Sequence, residues 1–144
     1  MRMQIQKTYL KFTAFGIAAF GPVFFLGTME PTMEVARLSL DILTWPVDGY
    51  PTYSSNETRF LSALTGGFLF GWGVLVWILS GRIFDAEPEA VRKAVMTSLI
   101  AWFFLDSAGS IASGMTPNAL FNVLVLLIFM GPLWFKASDL QADK

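Results

Sequence analysis

AVMTSLIAWFFLDSAGSIASG, residues 94–114, is a run of 21 residues with one charge, Asp106. Coiled as an α-helix at 1.5 Å per residue it measures about 31 Å, close to the hydrocarbon thickness of a bilayer. Backbone amides have no water to bond in that medium and must be satisfied within the segment, as a helix does. Barrel strands would be shorter and strictly alternating, and this run is neither. Three further charge-free stretches have the same character, at residues 12–28, 60–80 and 119–135. The chain therefore reads as one all-α integral membrane domain over residues 1–144, a four-helix up-and-down transmembrane bundle.

Composition agrees with that reading. The 144 residues are 54% hydrophobic and 15% charged, with a mean hydropathy of +0.55, too apolar for an ordinary soluble domain. With no cysteine and no histidine, disulfides, thiol chemistry, histidine bases and the usual haem, iron–sulfur and zinc ligand sets are excluded, and no cofactor or metal is expected. A net charge of -1 without a dense basic run gives no footprint for nucleic acid.

The first segment follows Arg2, Lys7 and Lys11, a charged start that also opens secretory signals; its length and the internal Gly21-Pro22 pair favour a span, kinked near Phe20 to Phe24. Orientation follows from the basic residues. With the amino terminus inside, Arg2, Lys7, Lys11, Arg82, Arg92, Lys93, Lys136 and Lys144 are cytoplasmic, and Arg37 and Arg59 lie outside. Trp77 and Trp134 then fall at the cytoplasmic interface. Both termini are expected to face the cytoplasm, with lipid as the immediate partner.

Of the connections, GRIFDAEPEAVR (81–92) reads as a solvated loop in which Pro88 opens the next helix and Glu87 and Glu89 favour its positive end. Met115 to Asn118 is a tight turn. The external loop, 29–58, is long enough to carry structure of its own. From an N-cap at Thr32, MEVARLSLDILT places Met33, Ala36, Leu40 and Leu43 on one face, and Glu34, Arg37, Asp41 and Thr44 on another, an amphipathic helix on the outer surface or capping the bundle. Arg37 can pair with both Glu34 and Asp41. The following WPVDGYPTYSSN, with Pro46, Gly49, Pro51 and three aromatic residues, suits turns. Asn56-Glu57-Thr58 is formally a glycosylation sequon, with nothing else to support that use.

Asp106 is the candidate site residue, since an ionisable group inside a span is costly. It lies about nine residues, roughly 13 Å, below the outer turn. Ser110, Ser113 and Gly114 follow on its face. Asn122 on the fourth helix, with Ser62 and Thr65 on the second, lies at a compatible depth, and Arg59 at the boundary could reach inward or snorkel outward. Two readings stay open: a pocket in which Asp106, Ser110 and Asn122 bind a cation, a proton or a ligand amine, or a hydrogen-bond network that locks helices together. On the second helix, Ala63, Gly67 and Gly71 form one small-residue face for helix packing, and Ser62, Gly66 and Gly73 another. These glycines lack the strand and lysine of a phosphate loop. The 14 phenylalanines read as lipid-facing or packing residues.

NETRFLSALTGGFLFGWGVLVW (56–77), AWFFLDSAGSIASG (101–114) and NALFNVLVLLIF (118–129) together resemble the small bacterial four-helix membrane proteins of unknown function related to the DoxX family. The most recognisable parts are Arg59 to Gly73 and Asp106-Ser107-x-Gly109-Ser110. The resemblance implies an up-and-down bundle in an inner membrane, usually without an assigned reaction; some DoxX relatives are associated with quinone-linked sulfur oxidation, for which this chain has no thiol. Three functions are consistent with the sequence. The chain is a non-enzymatic structural or accessory component of a larger membrane complex or homo-oligomer, a small-ligand or ion binding or transport module using Asp106, or a quinone-linked oxidoreductase partner whose redox centre sits on another chain.

Overall fold

A computed structural model describes residues 2–49 and 52–136, apart from the side chain of Arg2. Tyr50, Pro51 and Lys144 lie outside the described residues. Every regular element among the described residues is helical: α1 (Arg2–Leu26), α2 (Met33–Thr44), α3 (Asn56–Ile78), α4 (Phe84–Ala86), α5 (Pro88–Ala112) and α6 (Thr116–Met130), with a widened turn at Leu79–Ile83 and a 3₁₀ turn at Gly131–Trp134. Four helical segments, Met3–Leu26, Asn56–Ala86, Pro88–Ala112 and Thr116–Trp134, are long and apolar enough to cross a membrane.

The boundaries follow from local chemistry. Helix α3 starts before the charge-free run because the Ser55 hydroxyl caps it, accepting from the Thr58 amide at 3.1 Å. It breaks at Gly81, where ψ is −131°. Pro88 opens α5 in its first turn, as its position in the sequence predicts. Helix α1 runs through Pro22 to Leu26.

The amphipathic helix of the long loop forms over the expected residues, with two corrections. Thr32 makes no side-chain cap; its hydroxyl donates instead to the Leu26 carbonyl at 2.8 Å, closing the end of α1. Asp41 is not part of a solvated stripe. It is 1% exposed, because the chain folds back over the end of α2 and presents the amides of Asp48 (3.1 Å) and Gly49 (2.9 Å) to its carboxylate. Gly49 takes a φ of 77° to do so, a conformation that glycine adopts at no steric cost.

The bundle is two tight antiparallel pairs, α1 with α3 and α5 with α6, capped at one end by α2. The glycines of α3 set the first pair. A Cβ on Gly66 would stand 2.7 Å from the Gly21 carbonyl oxygen, and one on Gly73 would stand 2.6 Å from the Ala18 nitrogen, so the two backbones touch only because these side chains are absent. The expected packing role of Ala63, Gly67 and Gly71 is not realised within the chain: Cβ atoms on Gly67 and Gly71 would meet nothing within 4 Å. Successive residues on a helix point about 100° apart, and α1 takes the Ser62–Gly66–Gly73 face.

The end opposite α2 is sealed. Leu10, Ala14, Val76, Phe84, Val91, Val95, Met130 and Leu133 form a fully buried apolar cluster there. Pro132 has no amide hydrogen, which leaves the Ile128 carbonyl without its helical donor, and the Tyr9 hydroxyl supplies one. Thr13 donates to the Phe129 carbonyl at 3.0 Å, and the Gln6 amide to Pro132 at 3.2 Å and Phe135 at 2.9 Å. Arg92 is not a solvated loop charge. It is buried, donating to the Leu133 carbonyl at 2.7 Å and to both oxygens of Glu89 at 2.8 and 2.6 Å. Lys7 joins the 81–87 connection through Asp85 at 2.6 Å.

Candidate functional site

Helices α5 and α6 are joined by a turn in which Gly114 takes a φ of 80° and the Met115 amide donates back to the Ser110 carbonyl at 2.8 Å. This return sets Asn118 and Asn122, one helical turn apart on α6, against Asp106, Ser107 and Ser110 on α5. The Asn122 amide donates to Asp106 Oδ2 at 2.6 Å and to the Ser107 hydroxyl at 3.1 Å. The Asn118 amide donates to the same Asp106 oxygen at 3.2 Å and to the Ser110 hydroxyl at 2.8 Å. Ser110 closes the circuit by donating to the Asp106 carbonyl at 2.8 Å. Charge-assisted bonds of this kind are the strong ones, and they hold the carboxylate in place.

The circuit lies on the wall of a cavity of about 790 Å3 between the two helix pairs, at the α2 end. Trp72 of α3 and Trp102 of α5 span the gap, their ring centroids 6.3 Å apart. Ile17, Leu99 and Phe129 line its deep part, where Leu99 is fully buried and the cavity meets the apolar cluster. Leu40, Leu43 and Thr44 of α2, with Tyr53, line the other end. Tyr53 is itself buried, which pushes its phenol above the ordinary tyrosine value, against the smaller opposing effect of its hydrogen bond with Ser62. Among the described residues on the wall, Asp106 carries the one formal charge.

Of the residues expected at the site, Asp106, Ser110 and Asn122 come together. Thr65 lines the cavity from α3, but its hydroxyl donates to its own Leu61 carbonyl at 2.9 Å and does not reach the carboxylate. Ser62 likewise lines the cavity while donating to the Phe24 carbonyl at 2.6 Å. Arg59 turns outward, to Glu30 at 3.2 Å and to Asn56, three residues back on its own helix, at 3.1 Å. Asn118 and Ser107 belong to the circuit and were not expected there. The Asn118/Asn122 spacing was the available signal for the first; Ser107 needs the crossing of α5 and α6, which no local pattern encodes.

The arrangement offers a fixed carboxylate, neutral amides and hydroxyls, and an aromatic wall. Among the described residues no three carboxylates gather as a metal site. No protein-family model, curated protein or solved structure matches this chain.

Proposed function

We propose that the chain is a multi-pass membrane protein that binds a small amphiphilic molecule between its two helix pairs, without transforming it. One observation carries this reading: the cavity of about 790 Å3 that has an anchored carboxylate on an otherwise uncharged wall. Its size falls within the range of roughly 300–1,000 Å3 that small-molecule sites occupy, and its make-up, mostly apolar with a few convergent polar groups, is theirs as well. Lys7, Lys11, Arg82, Arg92, Lys93 and Lys136 toward one end against Arg37 and Arg59 toward the other support an inner-membrane orientation with both termini cytoplasmic.

The test is Gly109→Phe. Gly109 lines the cavity, and a Cβ there would meet nothing within 4 Å, so the ring fills ligand space without displacing the fold. Native mass spectrometry of the full-length protein from membranes should show a bound small molecule in the parent and none in the variant, with thermal unfolding little changed. A parent that carries no ligand under gentle extraction sinks the reading.

The accessory-component reading has its own observation. Gly67 and Gly71 present open space on a face turned away from α1, where another helix could approach closely. Recovery of a single, free chain after crosslinking in membranes would remove it.

A further inference from the structure

We propose that the ligand of this cavity is an organic cation, a protonated amine carried on an apolar body. This deepens the binding reading above and rests on it.

The first argument is charge balance. Both amide donors, Asn118 and Asn122, converge on Oδ2 of Asp106, and Oδ1 accepts no hydrogen bond from the described residues. An ionised carboxylate has capacity for about four. Among the described residues, no cation lines the cavity to balance it. Arg59 is held by Glu30 and Asn56, while Lys7 is held by Asp85 and Lys11 lies over Trp77 at the sealed end. A half-buried carboxylate on a mostly apolar wall favours a counter-charge, and the space beside Oδ1 is where a ligand could bring one. An anionic head would meet like charge instead.

The second argument is the wall. Aromatic faces attract cations through their ring quadrupoles, and Trp102 and Trp72 line the same cavity as Asp106. The rest is mostly aliphatic and aromatic, with scattered hydroxyls such as Thr65 and Ser113, suited to a hydrocarbon or aromatic body. The third argument is size: about 790 Å3 is far more than a bare alkali ion needs, and a single carboxylate is a poor ligand set for a divalent one.

Three probes with a common body separate head-group charge from apolar burial: 2-(1-naphthyl)ethylamine, 2-(1-naphthyl)ethanol and 1-naphthylacetate. They are titrated calorimetrically into the full-length protein in neutral phosphatidylcholine nanodiscs, with empty discs as the blank. The amine should bind about tenfold tighter than the alcohol, as expected for a hydrogen bond between charged partners, and the carboxylate weakest. Asp106→Asn should cost the amine that factor and leave the alcohol within twofold. Should Asp106→Asn fail to fold, the ranking of the three probes on the parent decides alone. Equal affinity for amine and alcohol, or tightest binding of the carboxylate, overturns the cationic ligand while leaving the cavity a binding site. Binding by none of the three, together with no bound molecule in the parent protein, overturns both readings.

Discussion

The two ends of the bundle are built from the same four helices and in opposite ways. At the end opposite α2, four polar side chains that enter the interior meet backbone carbonyls at and just beyond the end of α6: Tyr9 at Ile128, Thr13 at Phe129, Gln6 at Pro132 and Phe135, Arg92 at Leu133. Apolar side chains fill what remains. At the α2 end the polar side chains of α5 and α6 meet each other, around Asp106, and the helix pairs stand apart around open volume. Polar groups at the first end satisfy the backbone and finish the fold. At the second they satisfy a side chain, with both amides on one oxygen of Asp106. Backbone satisfaction and the carboxylate circuit are thus segregated along the helix axis.

The largest test of that segregation is Arg92→Ala. It strips Leu133 of a donor and Glu89 of its buried partner, and should cost about 3 kcal/mol of stability, visible as a lower unfolding temperature in detergent with ligand affinity in the surviving folded protein unchanged. Next is Gly73→Ala, whose methyl group would meet the α1 backbone at 2.6 Å; prying the first pair apart should cost about 2 kcal/mol. Asn122→Ala, at the open end, should cost only about 1 kcal/mol, because Asn118 still holds Asp106. It should weaken ligand binding more than Arg92→Ala does, and a reversed order would break the comparison. Smallest is Gly71→Ala, two residues from Gly73 but facing open space: removing a helix-interior glycine should leave stability unchanged or raise it by up to about 1 kcal/mol.

Much of this was legible in the sequence because hydrophobic runs and helix signals are local. The four apolar segments, α2 over Met33–Thr44 and the opening of α5 at Pro88 all follow from composition and spacing. Asp106 stood out by being charged where its neighbours are not, and Asn122 by depth. What the sequence hid depends on rotation about helix axes and on tertiary crossings. Two small-residue faces of α3 look alike, and which one meets α1 depends on the shape of α1. Asp41 looked solvated because the turn that buries it consists of residues whose own pattern is that of a loop. Arg92 looked like an ordinary flanking charge, and only the carbonyl of Leu133, 41 residues on, makes it interior. The cavity itself is a property of two pairs failing to close, which no single segment records.

The seal also constrains traffic. A solute that enters at the α2 end finds a dead end at Leu99 and Phe129. Passage onward would require Gln6, Tyr9, Thr13 and Arg92 to give up their carbonyls in one event, each bond worth about 1 kcal/mol net, and the apolar cluster to part as well. In the conformation described, a molecule held beside Asp106, as proposed, has no open path past Leu99 and Phe129 to the opposite end of the bundle, so it would have to leave without crossing the apolar cluster.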